Sequence, residues 1–418
     1  MTALLTLAAR SAWNRRFVLS LVLLSIALST FLLLGIERLR TDVRATFSSA
    51  VSGTDLVVGA RTAPVQLLLY SVFHIGNASN NIRWASAQAI AQHRAVAWAL
   101  PLALGDSHRG FAVLGTSAEY FQRFKYGDKQ ALTFKSGGQF ELLFDAVIGN
   151  EVAQRLGYGL GAKIVLSHGD GALADNDHDD QPFKVVGILA PTGTPVDRTV
   201  HIGLNAIEAI HVDWASGMHV RSRPDAAAAP PDLTPRSVTA LLVGLKSRAA
   251  VFAVQRDVAA FRDEPLLAIL PAVALDELWS VMALGERGLQ LVSALVALVS
   301  LAALMAVILA GLNERRRELA ILRAVGAGPR QMLALLALEG GLVTAAGVLL
   351  GALACWAATL LLGGWVQGRW GIVLHASAPS AAEWALIGAL LAAGWLASLV
   401  PGWRAYRLSL IDGLSPRV

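Results

Sequence analysis

Four long apolar runs without a charged residue constrain the fold of this 418-residue chain more than any other feature. They hold 20, 25, 29 and 20 residues, at 17–36, 288–312, 340–368 and 384–403. A helix rises about 1.5 Å per residue, so roughly 20 residues cross a hydrocarbon core of about 30 Å. The runs therefore predict four transmembrane helices. With these runs and a hydrophobic share of 55%, the chain is too apolar for a soluble protein of this length.

The arginines around these runs predict the orientation of the chain. Arg10, Arg15 and Arg16 precede the first run, and five arginines lie in the segment 313–330. More follow the last run, whereas the segment 364–383 holds only Arg369. Because arginine and lysine accumulate in cytoplasmic loops, both termini and 313–330 are predicted to be cytoplasmic. These flanks also account for the net charge of +5, so no nucleic-acid partner is predicted.

The predicted organisation follows from these runs. The first run lacks a convincing signal-peptidase site before Glu37, so we interpret it as an uncleaved anchor. Residues 1–16 suggest an interfacial helix, with an unstructured start as the alternative. The remaining parts are spans at 17–36, 288–312, 331–363 and 384–403, an exported segment at 37–287, a cytoplasmic segment at 313–330, a periplasmic loop at 364–383 and a tail at 404–418.

The exported segment has the pattern of a mixed α/β domain. Cys355, the only cysteine, lies in the third span, so this domain must be held by its own core without a disulfide. Short β-type runs occur at 55–58, 96–104, 111–114, 163–166, 184–189 and 238–245. Helices are predicted at 86–93, 150–156 and 250–261. The fold class is thus a four-helix membrane protein with a large α/β periplasmic domain inserted after the first helix.

The segment 313–330 reads NERRRELAILRAVGAGPR and predicts a short basic amphipathic helix. Leu319, Leu322 and Gly326 fall on one helical face, with Ile321 and Val325 beside them. The pattern ends where glycines and Pro329 follow, since both residue types terminate helices. Such a helix between two spans is well placed to contact a soluble partner. An ordinary positively charged loop is the alternative.

This segment resembles the cytoplasmic coupling helix of the MacB/FtsX family of ABC transporter permeases, which reads like R-x-R-E-I-x-x-x-R-A-x-G-A. The C-terminal stretch from Pro401 to Leu414 is similar to the family's closing P-x-x-x-A-x-x-x-x-P-I-x-x-L, with Leu410 at the usual proline. The resemblance implies ATPase-coupling roles for Arg315, Arg316, Arg317, Glu318, Leu319, Leu322, Arg323 and Gly326.

The exported segment also resembles the periplasmic domain of this family, through three short motifs. They are Phe111–Gly115 with Tyr120-Phe121, Ala146-Val-Ile-Gly149 with Val152-Ala153, and Lys184-Val-Val-Gly-Ile188. By this analogy, residues 38–115 and 235–285 form a membrane-proximal subdomain, and residues 116–234 form a distal insert.

The resemblance implies a bacterial inner-membrane permease that acts as a dimer, either of identical or of different chains. Two cytoplasmic ABC ATPases would hydrolyse ATP, and their closure would move the segment 313–330 and, through the first two spans, the periplasmic domain. The expected cargo is a lipoprotein, peptide, drug or bound enzyme, handled with or without a periplasmic partner protein. Membrane lipids surround the spans, which contain few charges and so offer no polar path.

The chain itself shows no standard enzyme motif. Gly157 to Lys163 is glycine-rich, but its spacing is wrong for a phosphate loop, and Ile164 stands at the Ser/Thr position. We therefore expect no enzymatic activity and no cofactor other than ATP on the partner, with zinc on the loop described below as the open alternative. The alternative function is a membrane-anchored periplasmic sensor or scaffold without an ATPase, whose periplasmic domain binds a ligand or a divalent metal. A membrane-bound hydrolase lacks any supporting motif.

One loop is a candidate metal site. Residues 168–180 contain two histidines and several aspartates, and imidazole with carboxylate suits zinc and other divalent ions. The candidate ligands are His168, Asp175, Asp177, His178 and Asp179. A calcium loop fits less well, because Asp180 stands where glycine is needed. A solvated acidic tip is the alternative. His74, His93 and His108 are isolated and predicted to be structural.

Overall fold

The fold is known from a computed structural model, which describes residues 16–76, 78, 80–168, 181–211, 214–215, 218–219, 232–314, 321, 324–370 and 373–407. The described helices are α1 Arg16–Ala50, α2 Pro64–Val72, α3 Trp84–Ala91, α4 Tyr120–Arg123, α5 Asn150–Leu156, α6 Leu204–His211, α7 Val251–Ala259, α8 Pro271–Glu314, α9 Pro329–Trp370 and α10 Ala381–Arg407. Short 3₁₀ turns lie at Pro195–Arg198 and Arg248–Ala250. Backbone contacts divide the chain into a unit of membrane-type helices and an α/β domain.

The helical unit comprises residues up to 42, 283–367 and the chain from 374. α1, α8, α9 and α10 are each long and apolar enough to cross a membrane, as the four charge-free runs predict. Their shared core contains Leu304 at 0% exposure, together with Ile26, Leu336 and Val348. Many other apolar side chains on these helices are exposed, among them Leu361. This is the pattern of a bundle whose outer surface faces lipid.

The α/β domain, residues 43–282 with 368–373, is built on one mixed sheet. The strands of the domain are β1 Leu56–Ala60, β2 Ile82–Arg83, β3 Val96–His108, β4 Phe111–Thr116, β5 Lys125–Tyr126, β6 Gln130–Ala131, β7 Phe134–Gly137, β8 Asp145–Ile148, β9 Lys163–Ile164, β10 Ser167–His168, β11 Phe183–Leu189, β12 Thr199–Gly203, β13 Trp214–Ala215, β14 Met218–His219, β15 Ser237–Val238, β16 Ala240–Leu245 and β17 Leu266–Ile269. The strand order of the mixed sheet is β17-β1-β16-β3-β4-β12-β8-β11-β7, with β10 paired to β3 and β9 paired to β11.

The long strand β3 joins the two halves of this sheet. Its first part pairs antiparallel with β16, as in Leu100 opposite Leu242, and its second part pairs antiparallel with β4. One half thus contains β17, β1 and β16, and the other contains β4, β12, β8, β11 and β7. Among the described strands, the parallel pairs are β12 with β4 and β11 with β8, both in the second half. The division into proximal and distal subdomains stays a prediction, since one sheet runs through both.

The core of the domain lies on the faces of this sheet. One cluster packs α3 and α7 against the first half and includes Ile90 and Val254. Another packs α5 and α6 against the second half and includes Val152 and Ile210. Burial of such apolar side chains is the main force available to a domain that has no disulfide. The predicted strands and helices at these places are confirmed, apart from shifts of their ends.

Candidate functional site

The predicted coupling segment lies between α8, which ends at Glu314, and α9, which begins at Pro329. Arg315, Arg316, Arg317, Glu318, Leu319, Leu322 and Arg323 lie outside the described residues. Ile321 and Ala324 are helical, and the Val325 amide donates to the Ile321 carbonyl at 3.0 Å. Ile321 is 56% exposed and Val325 is 83% exposed. Two apolar side chains about one helical turn apart are thus exposed near the end of this segment.

The helical pattern of the segment ends at Gly326, where the sequence predicts its end. Gly326 has a φ of +102°, a conformation that residues with a side chain adopt only with strain. The next helix has a defined start, because the side chain of Gln331 accepts a hydrogen bond from the Gly328 amide at 3.0 Å. Proline suits the first position of that helix, where its missing N–H is not needed. The turn after the segment is therefore fixed by local chemistry.

Close contacts pack α9, the helix that follows this segment, against two other helices of the helical unit. A Cβ added at Gly347 would lie 2.8 Å from Ile26, and one at Gly351 would lie 2.4 Å from the Ala27 carbonyl. α9 thus packs against α1 through a pair of small residues, the contact that its G-x-x-x-G spacing permits. α9 also meets α10 closely, since a Cβ at Gly394 would lie 2.3 Å from Thr344.

A buried ionic network lies where the apolar run of α1 ends. Arg38 Nε is 3.3 Å from Glu383 Oε1, and both side chains are 8% exposed. Arg38 also donates to the Ser377 carbonyl at 2.7 Å. Asp42 accepts a hydrogen bond from the His375 amide at 3.1 Å, and its other carboxylate oxygen lies 3.2 Å from Nδ1 of the His375 ring. These contacts tie the segment between α9 and α10 to α1. The sequence reasoning missed this network, although Glu37-Arg38 and Glu383 border the runs.

Glycines of the three motifs in the α/β domain occupy places where a side chain cannot fit. A Cβ at Gly149 would lie 2.3 Å from the Val196 carbonyl oxygen, and one at Gly187 would lie 2.1 Å from the Gly138 carbonyl oxygen. A Cβ at Gly115 would lie 2.4 Å from Ile207. The motifs therefore mark positions where another part of the chain approaches the backbone closely.

The isolated histidines have partners inside the fold, which agrees with their predicted structural role. His108 Nε2 is 3.0 Å from the Tyr158 hydroxyl, and His93 Nε2 is 3.3 Å from Asp257. His74 Nδ1 lies 3.1 Å from the Thr199 hydroxyl. Burial lowers the pKa of His74 to about 4 and, with a smaller effect from His74, that of His201 to about 3. Both rings are therefore neutral near pH 7.

The candidate metal loop is described only at its first residue. His168 ends strand β10, and Asp175, Asp177, His178 and Asp179 lie outside the described residues. Among the side chains that are described, no group of three histidine, cysteine or carboxylate ligands occurs.

Two family models match the chain. Residues 291–410 match the FtsX-like permease C-terminal domain, and residues 19–261, more than half of the chain, match the MacB-like periplasmic core domain. The chain belongs to the MacB/FtsX-type permeases. The predicted fold class is confirmed by these matches and by the four apolar helices of this permease. This permease is accordingly a multi-pass membrane protein of an ABC transporter permease family.

Solved structures give more distant similarities. The periplasmic region of MacB from Actinobacillus actinomycetemcomitans is 9% identical, with a TM-score of 0.34 over 56% of this permease and 97% of that chain. The extracellular domain of the ABC-type transporter YknZ from Gram-positive bacteria is 12% identical, with a TM-score of 0.30 over 52% of this permease and 99% of that chain. No curated protein matches the chain.

Proposed function

We propose that this permease couples ATP hydrolysis by a separate cytoplasmic ABC ATPase to a conformational change of its α/β domain. The observation that carries the proposal is the exposed apolar pair Ile321 and Val325, which lies between α8 and α9. Exposed apolar side chains at a loop are costly to leave in water and are suited to a protein partner. The sequence adds Leu319 and Leu322 to this apolar surface and arginines to its rim.

The orientation that this function requires is supported by the arginines. We propose that the segment 313–330 and both termini are cytoplasmic and that the α/β domain is periplasmic, in a bacterial inner membrane. An ATPase in the cytoplasm would then meet the segment directly. The α/β domain would handle its cargo, a lipoprotein, peptide, drug or bound enzyme, on the other side.

Transmission along helices is supported by the lengths of α1 and α8. They contain 35 and 44 residues, whereas about 20 residues cross the hydrocarbon core. A continuous hydrogen-bonded helix is stiff enough to carry a displacement past the membrane surface. We propose that two permease chains work together in this way, each with one ATPase.

The test replaces Ile321 with aspartate. Because Ile321 is exposed, the change leaves the fold of the permease intact, yet it would put an unpaired charge into a buried contact with the ATPase. A penalty of about 3 kcal/mol would weaken binding more than 100-fold, because each tenfold change in affinity corresponds to roughly 1.4 kcal/mol. The measurement is stimulated ATP turnover by the ATPase that copurifies with the unaltered permease, reconstituted in nanodiscs.

The matched control is Ile321→Leu, which keeps an apolar side chain of similar volume and should keep full stimulation. Full stimulation in Ile321→Asp as well would contradict the proposed docking surface. The membrane-anchored scaffold without an ATPase predicts that neither substitution alters any ATP turnover.

A further inference from the structure

A cavity of about 240 Å³ lies in the α/β domain. It is bounded by the end of α1, the residues that follow α2, the start of β4 and the 3₁₀ turn at Pro195–Arg198. All the residues that line it belong to this one domain. Sites for drug-sized molecules have volumes of about 300–1,000 Å³, so this cavity has room for a smaller molecule of one or two rings.

Aromatic rings form much of the cavity wall. Phe47 and Phe73 have ring centroids 4.4 Å apart at an interplanar angle of 30°, and Phe111 lines the cavity with them. Ile75 and Pro195 add aliphatic surface. Aromatic side chains pack favourably against another ring in an offset or edge-to-face arrangement. The wall therefore favours a ligand with a flat aromatic body.

His74 provides a hydrogen-bond acceptor in this wall. The Thr199 hydroxyl donates its single proton to the Pro195 carbonyl at 2.8 Å. Nδ1 of His74, 3.1 Å from that hydroxyl oxygen, therefore carries a proton and donates it. Burial keeps the ring neutral near pH 7, because it lowers the pKa of His74 to about 4. Nε2 then has a lone pair that accepts a hydrogen bond from a suitable ligand.

The backbone at His74 has a conformation that is costly for any residue with a side chain. Its φ is +55°, in the left-handed region that glycine usually occupies after a helix. The next amide, that of Ile75, donates to the Leu69 carbonyl at 3.0 Å and so closes the end of α2. Such strain is found mainly where a side chain is held for a purpose, as at ligand sites. Here it places an imidazole in the cavity wall, where glycine would leave bare backbone.

Thr46 provides a hydrogen-bond donor from α1. This residue lines the cavity and is 8% exposed, and its hydroxyl has no hydrogen-bond partner among the described residues. A buried hydroxyl without a partner destabilises a fold. Threonine in a helix adopts two χ1 rotamers, so one rotation gives the hydroxyl a second direction. A ligand oxygen that accepts this proton removes the cost.

The charge at the cavity is already balanced. Arg198 lines the cavity, and its Nε lies 3.5 Å from Oε1 of Glu151. Because the guanidinium has a carboxylate partner, the cavity does not require an anionic ligand. A single hydroxyl group matches the other two polar groups, since it donates to Nε2 of His74 and accepts from Thr46.

We propose that this cavity binds a small neutral phenol, whose aromatic body packs against Phe47 and Phe73 and whose hydroxyl bonds to His74 and Thr46. The ligand class is thus one or two aromatic rings that carry a hydroxyl group. The site is independent of the proposed ATPase coupling, because every residue that lines it belongs to the α/β domain.

The experiment measures binding of 2-naphthol to the full-length permease in nanodiscs, by equilibrium dialysis. Binding to empty nanodiscs of the same lipid is subtracted. One 2-naphthol per chain should bind with a Kd below about 100 µM. Two relatives of this probe test the hydroxyl. 2-Methoxynaphthalene, which cannot donate, and 2-naphthoate, which is an anion, should each bind about tenfold more weakly or worse.

Three substitutions test the place of binding. Thr46→Val keeps the shape of the side chain and removes the buried hydroxyl, so affinity should fall about tenfold while the melting temperature stays equal or rises. Ala112→Leu adds bulk to the cavity wall and should reduce binding by at least tenfold. Thr62→Val is the matched control, because the Thr62 hydroxyl bonds to Gln66 instead, and it should leave the Kd unchanged.

Parent affinity in Thr46→Val or in Ala112→Leu would overturn the proposal, as would equal losses in Thr46→Val and Thr62→Val. Equal affinity for 2-naphthol and 2-methoxynaphthalene would overturn it too, because a donor to His74 would then play no part. Tighter binding of 2-naphthoate would overturn it in favour of an anion site at Arg198. Binding no greater than that of empty nanodiscs would also overturn it.

Discussion

Glu383→Gln removes one charge from the buried pair with Arg38 and should strongly destabilise the helical unit. The two side chains are 8% exposed, and their closest atoms are 3.3 Å apart. Arginine stays protonated in proteins, so its charge would remain buried with the Ser377 carbonyl as a neutral partner. Breaking a buried pair in this way costs about 3–5 kcal/mol.

Glutamine is chosen because it keeps the start of α10 intact. Glu383 accepts the Ser380 amide at 2.6 Å, and the Ser380 hydroxyl accepts the Glu383 amide at 3.2 Å. Glutamine serves this reciprocal cap as well as glutamate does. The loss of stability therefore reports the ion pair and not the cap.

The assay is a double-mutant cycle in thermal and denaturant unfolding of the detergent-solubilised permease. Adding Arg38→Met to Glu383→Gln removes the uncompensated charge and should restore most of the stability. Arg236→Met is the control, because that side chain is 91% exposed and its loss should change stability by less than about 0.5 kcal/mol. A Glu383→Gln variant as stable as the parent, or a double variant worse than either single one, would refute the reasoning.

Further predictions concern helix packing, acid stability and topology. Gly351→Ala should destabilise the helical unit by about 1–3 kcal/mol, because its Cβ would press on the Ala27 carbonyl, whereas Gly364→Ala has nothing within 4 Å and should not. His201 has its pKa lowered to about 3, so its native ring stays neutral while the unfolded ring protonates. The His201 ring should therefore cost no stability above about pH 6.5 and about 1.4 kcal/mol per pH unit below it. His201→Gln should reduce the slope of stability against pH by that amount in pH-dependent unfolding, and the slope that His74 contributes should remain. A reporter active only in the periplasm should work after Gly137 and stay silent within 313–330; the reverse pattern would contradict the orientation.

The membrane spans could be predicted from the sequence, but the full lengths of their helices could not. The charge-free runs predict where the chain crosses the membrane, and all four fall within apolar helices. α1, however, continues to Ala50 through charged residues. It can do so because Glu37 pairs with Arg40 and Arg38 pairs with Glu383. The Arg38–Glu383 pair joins residues that are far apart in sequence, so it leaves no local pattern.

The same limit applies to the α/β domain. The apolar runs predict strands such as β3 and β11, whereas β8, β12 and β17 are not among the predicted strands. His168 could be singled out from composition, since it lies beside many aspartates. The approach of Asp106 and His211 could not be predicted, because it depends on where α6 ends beside β3.

The coupling segment shows what a resemblance adds to local physics. Its amphipathic pattern alone left a plain positively charged loop as an equal alternative. The match of residues 291–410 to the FtsX-like permease C-terminal domain shows that the pattern lies in a permease, and its coupling role stays our proposal. Ile321 and Val325 are large apolar side chains of the segment, and both are exposed.

Copurification tests the central claim most directly. The permease would be extracted from its native membrane in a mild detergent, captured by a tag, and assayed for bound proteins and for ATP turnover. We predict a nucleotide-binding ABC subunit in equal amount to the permease, with turnover that falls to the level of the free ATPase when Ile321→Asp is introduced. A folded permease that captures no nucleotide-binding subunit would contradict the account.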